Sequence, residues 1–450
     1  MTKLVLCCDG TWCGKSTNTT TNIKIIANCF EKEGNAKVRY FDGLGAEASD
    51  KTSASYLVHG ALGTGIREFC IETYKHIVTK FEPGDKIWMY GLSRGAYTIR
   101  CIAAIINKVG ILRNTDENGK PLSQQLLHDL CIEAYRIYIN KTDPQYKPRG
   151  TYTLRFKLKH SHWDPFLQDE LKNAVDEFGN KAVIPFKGVI EPDYDYPPIE
   201  ALYLLDTVGA LGVPELDPMS TLKYQFYDQQ ICSEVQHVYQ ALSTHDRLTA
   251  FTPCFARRNP KPTKWTNAKN TLTEVWFPGA HYDIGRQNFV LLRQTNPVER
   301  IIHWFQEKLN FGWLNVQYTE EYSRNVFNWM VKAAKQVDPK TPLNEGAYDA
   351  YLPTIWDAVL VQPYRKNAYD KMLYIYNYIP LFHALFNGDL LVHRGIPPDR
   401  EQTFYSTLGR NTDGTIIPDP KTYRAGVSGQ ISRSFDIREE LEAGSIRWTN

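Results

Sequence analysis

The sequence predicts an α/β protein built on a doubly wound, mostly parallel sheet with helices on both faces. Three observations carry that expectation. Strand and helix patterns alternate over the first 110 residues. The strand segments are short continuous apolar runs, as in strands buried on both faces, rather than in-out alternations. Each run stops at a turn residue, Asp or Gly, before a helical pattern begins.

The elements follow in order. Lys3–Cys8 is the first apolar run and ends at Asp9-Gly10-Thr11-Trp12. A polar Thr/Asn loop leads to a helix over Asn22–Glu31. Val38–Phe41 is a second strand, closed by Asp42-Gly43. Ile66, Phe69, Cys70, Tyr74, Ile77, Val78 and Phe81 recur at helical spacing, which predicts a helix over Thr64–Phe81. Pro83-Gly84-Asp85 breaks it. Lys86–Tyr90 is the next strand, and Arg94–Val109 the next helix.

Residues 114–195 are charged and punctuated by proline, and read as an insertion. Within it Tyr152, Leu154, Phe156 and Leu158 alternate with Thr153, Arg155, Lys157 and Lys159, the pattern of a half-buried strand with a solvated basic face. Ile199–Leu205 resumes the strand series and runs into Asp206. Ser233–Leu242 reads as a helix, and Glu274–Phe277 as a strand entering Pro278-Gly279-Ala280-His281. Beyond about residue 295 the pattern is mainly helical, with helices near Val298–Leu309 and Glu320–Lys335. This divides the chain into a catalytic domain, 1–290, and a C-terminal region, 291–450, a candidate source of lid or substrate-groove elements.

Lys+Arg is 52 and Asp+Glu is 50, a net charge of +2. Binding nucleic acid through phosphates needs a strong basic field, so no nucleic-acid partner is expected. Aromatic residues make up 13%, which fits large cores or an apolar substrate groove. Nine cysteines cannot all pair, and no CxxC occurs. Cys7 and Cys8 lie in an apolar run and read as buried thiols of a reducing compartment. The first residues leave no room for a signal peptide and no clean run of 18 apolar residues exists, so the expected location is cytoplasmic, with peripheral membrane contact left open. The nearest apolar stretch, Leu373–Val392, is broken by Pro380 and Asp389. No HExxH, EF-hand loop or Cys/His cluster calls for a metal, and no cofactor is expected.

The sharpest chemical signal is Gly91-Leu92-Ser93-Arg94-Gly95, a G-x-S-x-G with a strand before it and a helix after it. A serine on so tight a turn is thrust into the cleft at the carboxyl edge of the sheet. Gly91 and Gly95 let the chain turn and let the helix approach. The Arg94 N–H, at the helix start, is placed to stabilise an oxyanion, and the Gly10 or Thr11 N–H is the candidate second donor. The alternative for Gly10–Thr11 is a structural turn.

A nucleophilic serine needs a base, and the base an orienter. The order Ser, then acid, then His is the one α/β-hydrolases use. Asp206 and His281 each follow a strand, where ligands bind in an open α/β sheet. Ser93, Asp206 and His281 are therefore the expected triad. Asp283 is a rival orienter, better suited to stiffen the histidine loop, and Asp9 is its supporting counterpart on the first loop. His245-Asp246 forms a rival pair.

Gly10-Thr11-Trp12-Cys13-Gly14-Lys15-Ser16 resembles a phosphate-binding loop but has three residues between its glycines where the Walker pattern has four. With Leu202–Asp206 as a Walker B strand, a P-loop NTPase is the minor alternative. Gly43 to Ala48 matches a dinucleotide fingerprint only loosely.

Together Asp9-Gly10-Thr11-Trp12, Thr21-Asn22-Ile23, Tyr40-Phe41-Asp42-Gly43, Pro83-Gly84-Asp85, Gly91 to Tyr97, Asp206-Thr207-Val208-Gly209 and Trp276 to His281 resemble an uncharacterised α/β-hydrolase family, domain of unknown function 2235. That family includes bacterial type VI secretion phospholipase effectors and fungal proteins. The resemblance covers about residues 1–290. It implies an α/β-hydrolase fold with Ser93 as nucleophile, Asp206 as orienter and His281 as base. Family members often follow the histidine motif with paired glycines; here Gly285 is followed by Arg286. The expected activity is carboxylic-ester hydrolysis, with lipid or phospholipid acyl esters as substrate. The alternative from another class is a catalytically idle hydrolase fold serving as an interaction module.

Overall fold

Eight parallel strands form one sheet in the computed structural model: β1 (Lys3–Cys8), β2 (Ala36–Phe41), β3 (Lys86–Leu92), β4 (Ile199–Leu205), β5 (Val235–Ser243), β6 (Thr271–Phe277), β7 (Gln402–Tyr405) and β8 (Ile446–Thr449). Their order across the sheet is β8-β7-β6-β5-β4-β3-β1-β2. The structure describes residues 2–11, 13–14, 20–44, 65–209, 230–243, 253–259, 261–265, 270–277, 279–287, 289–290, 315–316, 318, 320–352, 402–405 and 446–449. The strand order reverses at β1, whose neighbours are β2 and β3. In an open α/β sheet that switch point opens a crevice at the carboxyl ends of the strands.

The pleat sorts the apolar runs into two cores. Leu4, Leu6, Ile87, Met89, Leu202, Leu204, Val235 and Val238 face α2 (Ile66–Lys80), α3 (Arg94–Val109) and α4 (Gln124–Ile139). The alternate residues, Val5, Cys7, Trp88, Tyr90, Tyr203, Tyr239, Val275 and Phe277, face α1 (Asn22–Glu33) on the other side. That second core also takes Val326, Phe327, Met330 and Val331 of the helix Glu320–Val337. With both faces covered, a strand needs apolar residues at every position, which is why the runs are continuous. Tyr90, Tyr203 and Tyr239 are register neighbours on β3, β4 and β5, and their rings stack with centroids 4.4 and 5.2 Å apart. These three rings are part of the core packing. The nine cysteines are free thiols.

Two expectations are corrected. The segment read as a half-buried strand at Tyr152–Leu158 is a helix, α5 (Thr151–His160). The alternation misled because Lys157, assigned to a solvated face, is buried. Its ammonium bonds Asp164 and Glu170, each at 2.7 Å, and Lys264 joins the same cluster through Asp164, Glu170 and Glu234. The buried positions 153, 154 and 157 then lie on one helical face. The segment Ser233–Leu242, read as a helix, is strand β5, flanked by β4 and β6 and almost wholly buried. Tertiary burial, not local periodicity, decides such a run. β7 pairs with β6 through Phe404 and Trp276, so the sheet draws its last two strands from the C-terminal third. The segments Val298–Leu309 and Leu373–Val392 lie outside the described residues.

The insertion carries α4, α5, a short α6 (Leu167–Lys172), and a two-stranded ladder pairing Ala174–Val175 with Lys181–Ala182. It has its own small apolar cluster around Leu154, Leu167 and Leu171. Lys264, bonded to Asp164 and Glu170 of the insertion and to Glu234 before β5, links this cluster to the main domain. Replacing Lys157 by Met strands two carboxylates beside a single remaining cation, Lys264. Loss of one partner from a buried pair costs about 3 kcal/mol. Thermal unfolding of Lys157→Met is therefore expected several degrees below wild type, and an unchanged Tm refutes this account of α5.

Candidate active site

Ser93 ends β3 and opens α3 with φ 56° and ψ −120°, a backbone conformation L-residues rarely adopt. Such strain costs about 1–3 kcal/mol and persists only where surroundings enforce it. The enforcement is visible in its hydrogen bonds. The Ser93 N–H donates to Leu205 O at 2.8 Å, and its carbonyl accepts from Tyr97 N–H at 3.1 Å. The flanking glycines are sterically required. A Cβ on Gly95 would lie 2.1 Å from the Cys8 carbonyl oxygen, and one on Gly91 2.6 Å from the Ala96 backbone.

Leu92, one residue before the serine, gathers the neighbouring loops. A Cβ on Gly10 would lie 2.9 Å from its side chain, and one on Gly285 2.4 Å. The loop after β1 and the histidine segment thus close on the residue that precedes Ser93. A Gly10 Cβ would also stand 3.4 Å from Ser93 Cβ, so the two loops are adjacent at the nucleophile itself.

Asp206 follows β4 with φ 41° and is fully buried. His281 opens a short helix, α7 (His281–Gly285), just after β6 and is 1% exposed. The His281 Nδ1 and Asp206 Oδ2 are 2.7 Å apart. The carboxylate also accepts the Ser243 N–H and the Ser243 hydroxyl, both at 3.0 Å. Three hydrogen-bond partners hold this carboxylate in place. Asp206 was also the Walker B candidate; its oxygens are engaged here by His281 and Ser243.

Asp283 lies in the same short helix as His281. Its Oδ2 accepts the Ala280 N–H at 2.7 Å, which caps α7 from within. Asn22 Nδ2 donates to Ile284 O at 3.0 Å, and the Ser323 hydroxyl donates to Asp283 O at 2.6 Å. Arg286, the departure from the paired glycines, stands at φ 57° and is 3% exposed. Its guanidinium donates to Thr20 O and Tyr351 O, each at 2.5 Å, and lies over the Tyr348 ring. The strain of a left-handed non-glycine is offset by a clamp that joins the histidine segment to two other loops.

Asp9 organises the first loop. It is buried and accepts the Tyr40 hydroxyl at 2.6 Å, the Thr21 hydroxyl at 2.5 Å and the Gly10 N–H at 2.8 Å. Thr21 meanwhile caps α1 by accepting the Lys24 N–H. The Gly10 N–H is thus turned to Asp9. Thr11 follows it in the same loop, and Arg94 opens α3. Gln287 Nε2 holds the Thr11 carbonyl at 2.9 Å. The Arg94 side chain is itself buried; burial lowers its guanidinium to about 10, with Tyr282 and Cys13 opposing.

Thr21, Asn22 and Tyr40 occurred in the quoted motifs without a role. Ser243, Arg286 and Gln287 carried no signal of function in the sequence. His245-Asp246 and the Lys15-Ser16 end of the phosphate-loop lookalike lie outside the described residues. A cavity of about 250 Å³ lies elsewhere, between α3 and strands β4 and β5, walled by Ala103, Leu202, Leu204 and Val238. None of the triad candidates lines it.

A family model described as the type VI secretion phospholipase effector Tle1-like catalytic domain matches residues 2–333. An uncharacterized protein of Saccharomyces cerevisiae is 29% identical over 135 residues, 27% of this chain and 20% of that protein. The chain thus matches about a fifth of the length of that curated relative. An uncharacterized protein from Pseudomonas aeruginosa aligns with 86% of the chain and 62% of its own, at 13% identity and TM-score 0.27. The Tle1 effector, solved bound to the VgrG spike of the type VI secretion system, aligns over 86% and 83% at 12% identity and TM-score 0.33. YbtT, a type II thioesterase of the yersiniabactin pathway, aligns over 69% and 92% at 11% identity and TM-score 0.22.

Burial raises the Asp9 carboxyl from 3.8 to about 6, against the pull of its Thr21, Tyr40 and Gly10 hydrogen bonds. Between those values the folded chain keeps a proton that the unfolded chain releases. The contribution of Asp9 to stability therefore falls as pH rises through that window. The difference in Tm between wild type and Asp9→Asn is expected to drift across the window and level off above it. A difference flat with pH overturns the assignment.

Proposed function

The chain belongs to the type VI secretion phospholipase effector family with a Tle1-like catalytic domain, and on that premise we propose that it is a serine hydrolase cleaving lipid acyl esters. One observation carries the reading. A buried carboxylate–imidazole pair 2.7 Å apart stands at the same sheet edge as a serine held in a strained strand-to-helix turn.

The residues divide the work as follows. The Ser93 proton passes to His281 while Ser93 Oγ bonds the ester carbonyl carbon. The carbonyl electron pair moves onto oxygen, and the backbone N–H groups of Arg94 and Thr11 stabilise the charge. Asp206 stabilises the imidazolium and keeps Nε2 directed at the reaction. The ester C–O bond breaks, and the leaving alcohol departs with the proton from His281. Water, giving its proton to the same imidazole, then attacks the acyl-enzyme and frees the carboxylic acid and Ser93.

The lipid preference rests on the family. Many of the described aromatic residues pack in the two cores and lend it no support. The VgrG spike is a partner of the Tle1 effector; a protein partner for this chain is part of the same proposal.

The test uses a fluorophosphonate probe and phosphatidylcholine vesicles. Wild type is expected to be labelled at Ser93 and to release fatty acid. Ser93→Ala is expected to lose both, and Asp206→Asn to lose roughly 10⁴-fold in turnover. Unlabelled wild type points to an idle fold used as an interaction module. Full turnover by Ser93→Ala sinks the proposal.

A further inference from the structure

In the loop after β1, the Thr11 hydroxyl has no hydrogen-bond partner among the described residues. Around it the backbone is committed. Gly10 N–H goes to Asp9, Gly10 O accepts the Cys13 N–H at 3.0 Å, and Thr11 O accepts Gln287 Nε2. The Thr11 side chain is 3% exposed, yet its Oγ1 has no hydrogen-bond partner among the described residues. A buried hydroxyl without a partner forfeits its hydration for nothing, and valine of the same shape would remove that cost.

Position separates this hydroxyl from similar ones. Thr73 faces the Cys8 thiol inside the core, and Thr341 lies in the turn after the helix Glu320–Val337. Thr207 follows Asp206, on the β4 side of the nucleophile. Thr11 lies on the β1 side, next to the glycine whose Cβ would stand 3.4 Å from Ser93 Cβ. That side is where the oxyanion donors of the proposed reaction belong.

We infer that the Thr11 hydroxyl is a catalytic donor to the oxyanion, acting beside the backbone N–H groups of Thr11 and Arg94. This rests on the serine-hydrolase reading above. As Ser93 Oγ bonds the carbonyl carbon, the carbonyl pair collapses onto oxygen. The hydrogen bond from Thr11 then changes from one to a neutral acceptor into one to an anion, which is stronger. Its contribution is concentrated in the transition state, so it acts on kcat more than on KM. The Gln287 bond to the Thr11 carbonyl fixes the loop in advance.

Hydrolysis of p-nitrophenyl octanoate by wild type, Thr11→Val, Thr11→Ser and Ser93→Ala tests this, with Tm measured on each. Thr11→Val is expected to lose roughly 10²-fold in kcat at little change in KM. Its Tm should equal or exceed that of wild type, because the unpaired hydroxyl is gone. Thr11→Ser should recover most of the lost rate. Wild-type kcat in Thr11→Val, with Ser93→Ala inactive, overturns the role of Thr11 and leaves the serine hydrolase standing. A rate loss that tracks a lower Tm and is not restored by serine makes Thr11 structural and overturns it too. Turnover persisting in Ser93→Ala removes the serine mechanism, and this inference with it.

Discussion

The carboxyl end of β1 and the start of α3 approach as closely as two backbones can. A single methyl group at Gly95 would overlap the Cys8 carbonyl oxygen. The rest of the site is built on that contact. It brings the β1 loop against the serine turn, forces Ser93 into its strained conformation, and lets Leu92 fill the space between Gly10 and Gly285. A parallel sheet whose order reverses at β1 places this approach at a crevice rather than inside a packed layer.

Around that contact, each loop of the site is anchored by a buried charged group with its bonds satisfied. Asp9 ties the β1 loop to α1 and β2. Asp206 joins the ends of β4 and β5 and holds His281. Arg286 fastens the histidine segment to the loop before α1 and to Tyr351. A buried charge is costly unless paired, so each of these groups specifies one arrangement of its loops more strongly than apolar packing would. The strain at Ser93, Asp206 and Arg286 is the counterpart of that rigidity.

Much of this was legible in the residues. The β1 to β4 strands read correctly because continuous apolar runs bounded by Asp and Gly have few other uses. The serine turn was readable because its glycines are a steric necessity. Thr151–His160 and Val235–Ser243 failed for opposite reasons. In the first, a buried ion cluster placed Lys157 where polarity forbade it. In the second, strands on both sides erased the alternation that would have marked a strand. The strand at 402–405 lies more than 120 residues from its sheet partner β6, beyond the reach of any local pattern.

By itself the sequence determined the parallel α/β character, the serine on its turn, and the order of an acid and a histidine behind it. These depend on residue types and spacings within one or two elements. Only the tertiary structure decided that Asp206 is the carboxylate on His281, that Asp283 serves the loop, and that Gly10 N–H belongs to Asp9. Those choices turn on which of several carboxylates and donors comes within hydrogen-bonding distance. Bonds of under 3 Å between residues 75 positions apart are set by packing, not by sequence separation.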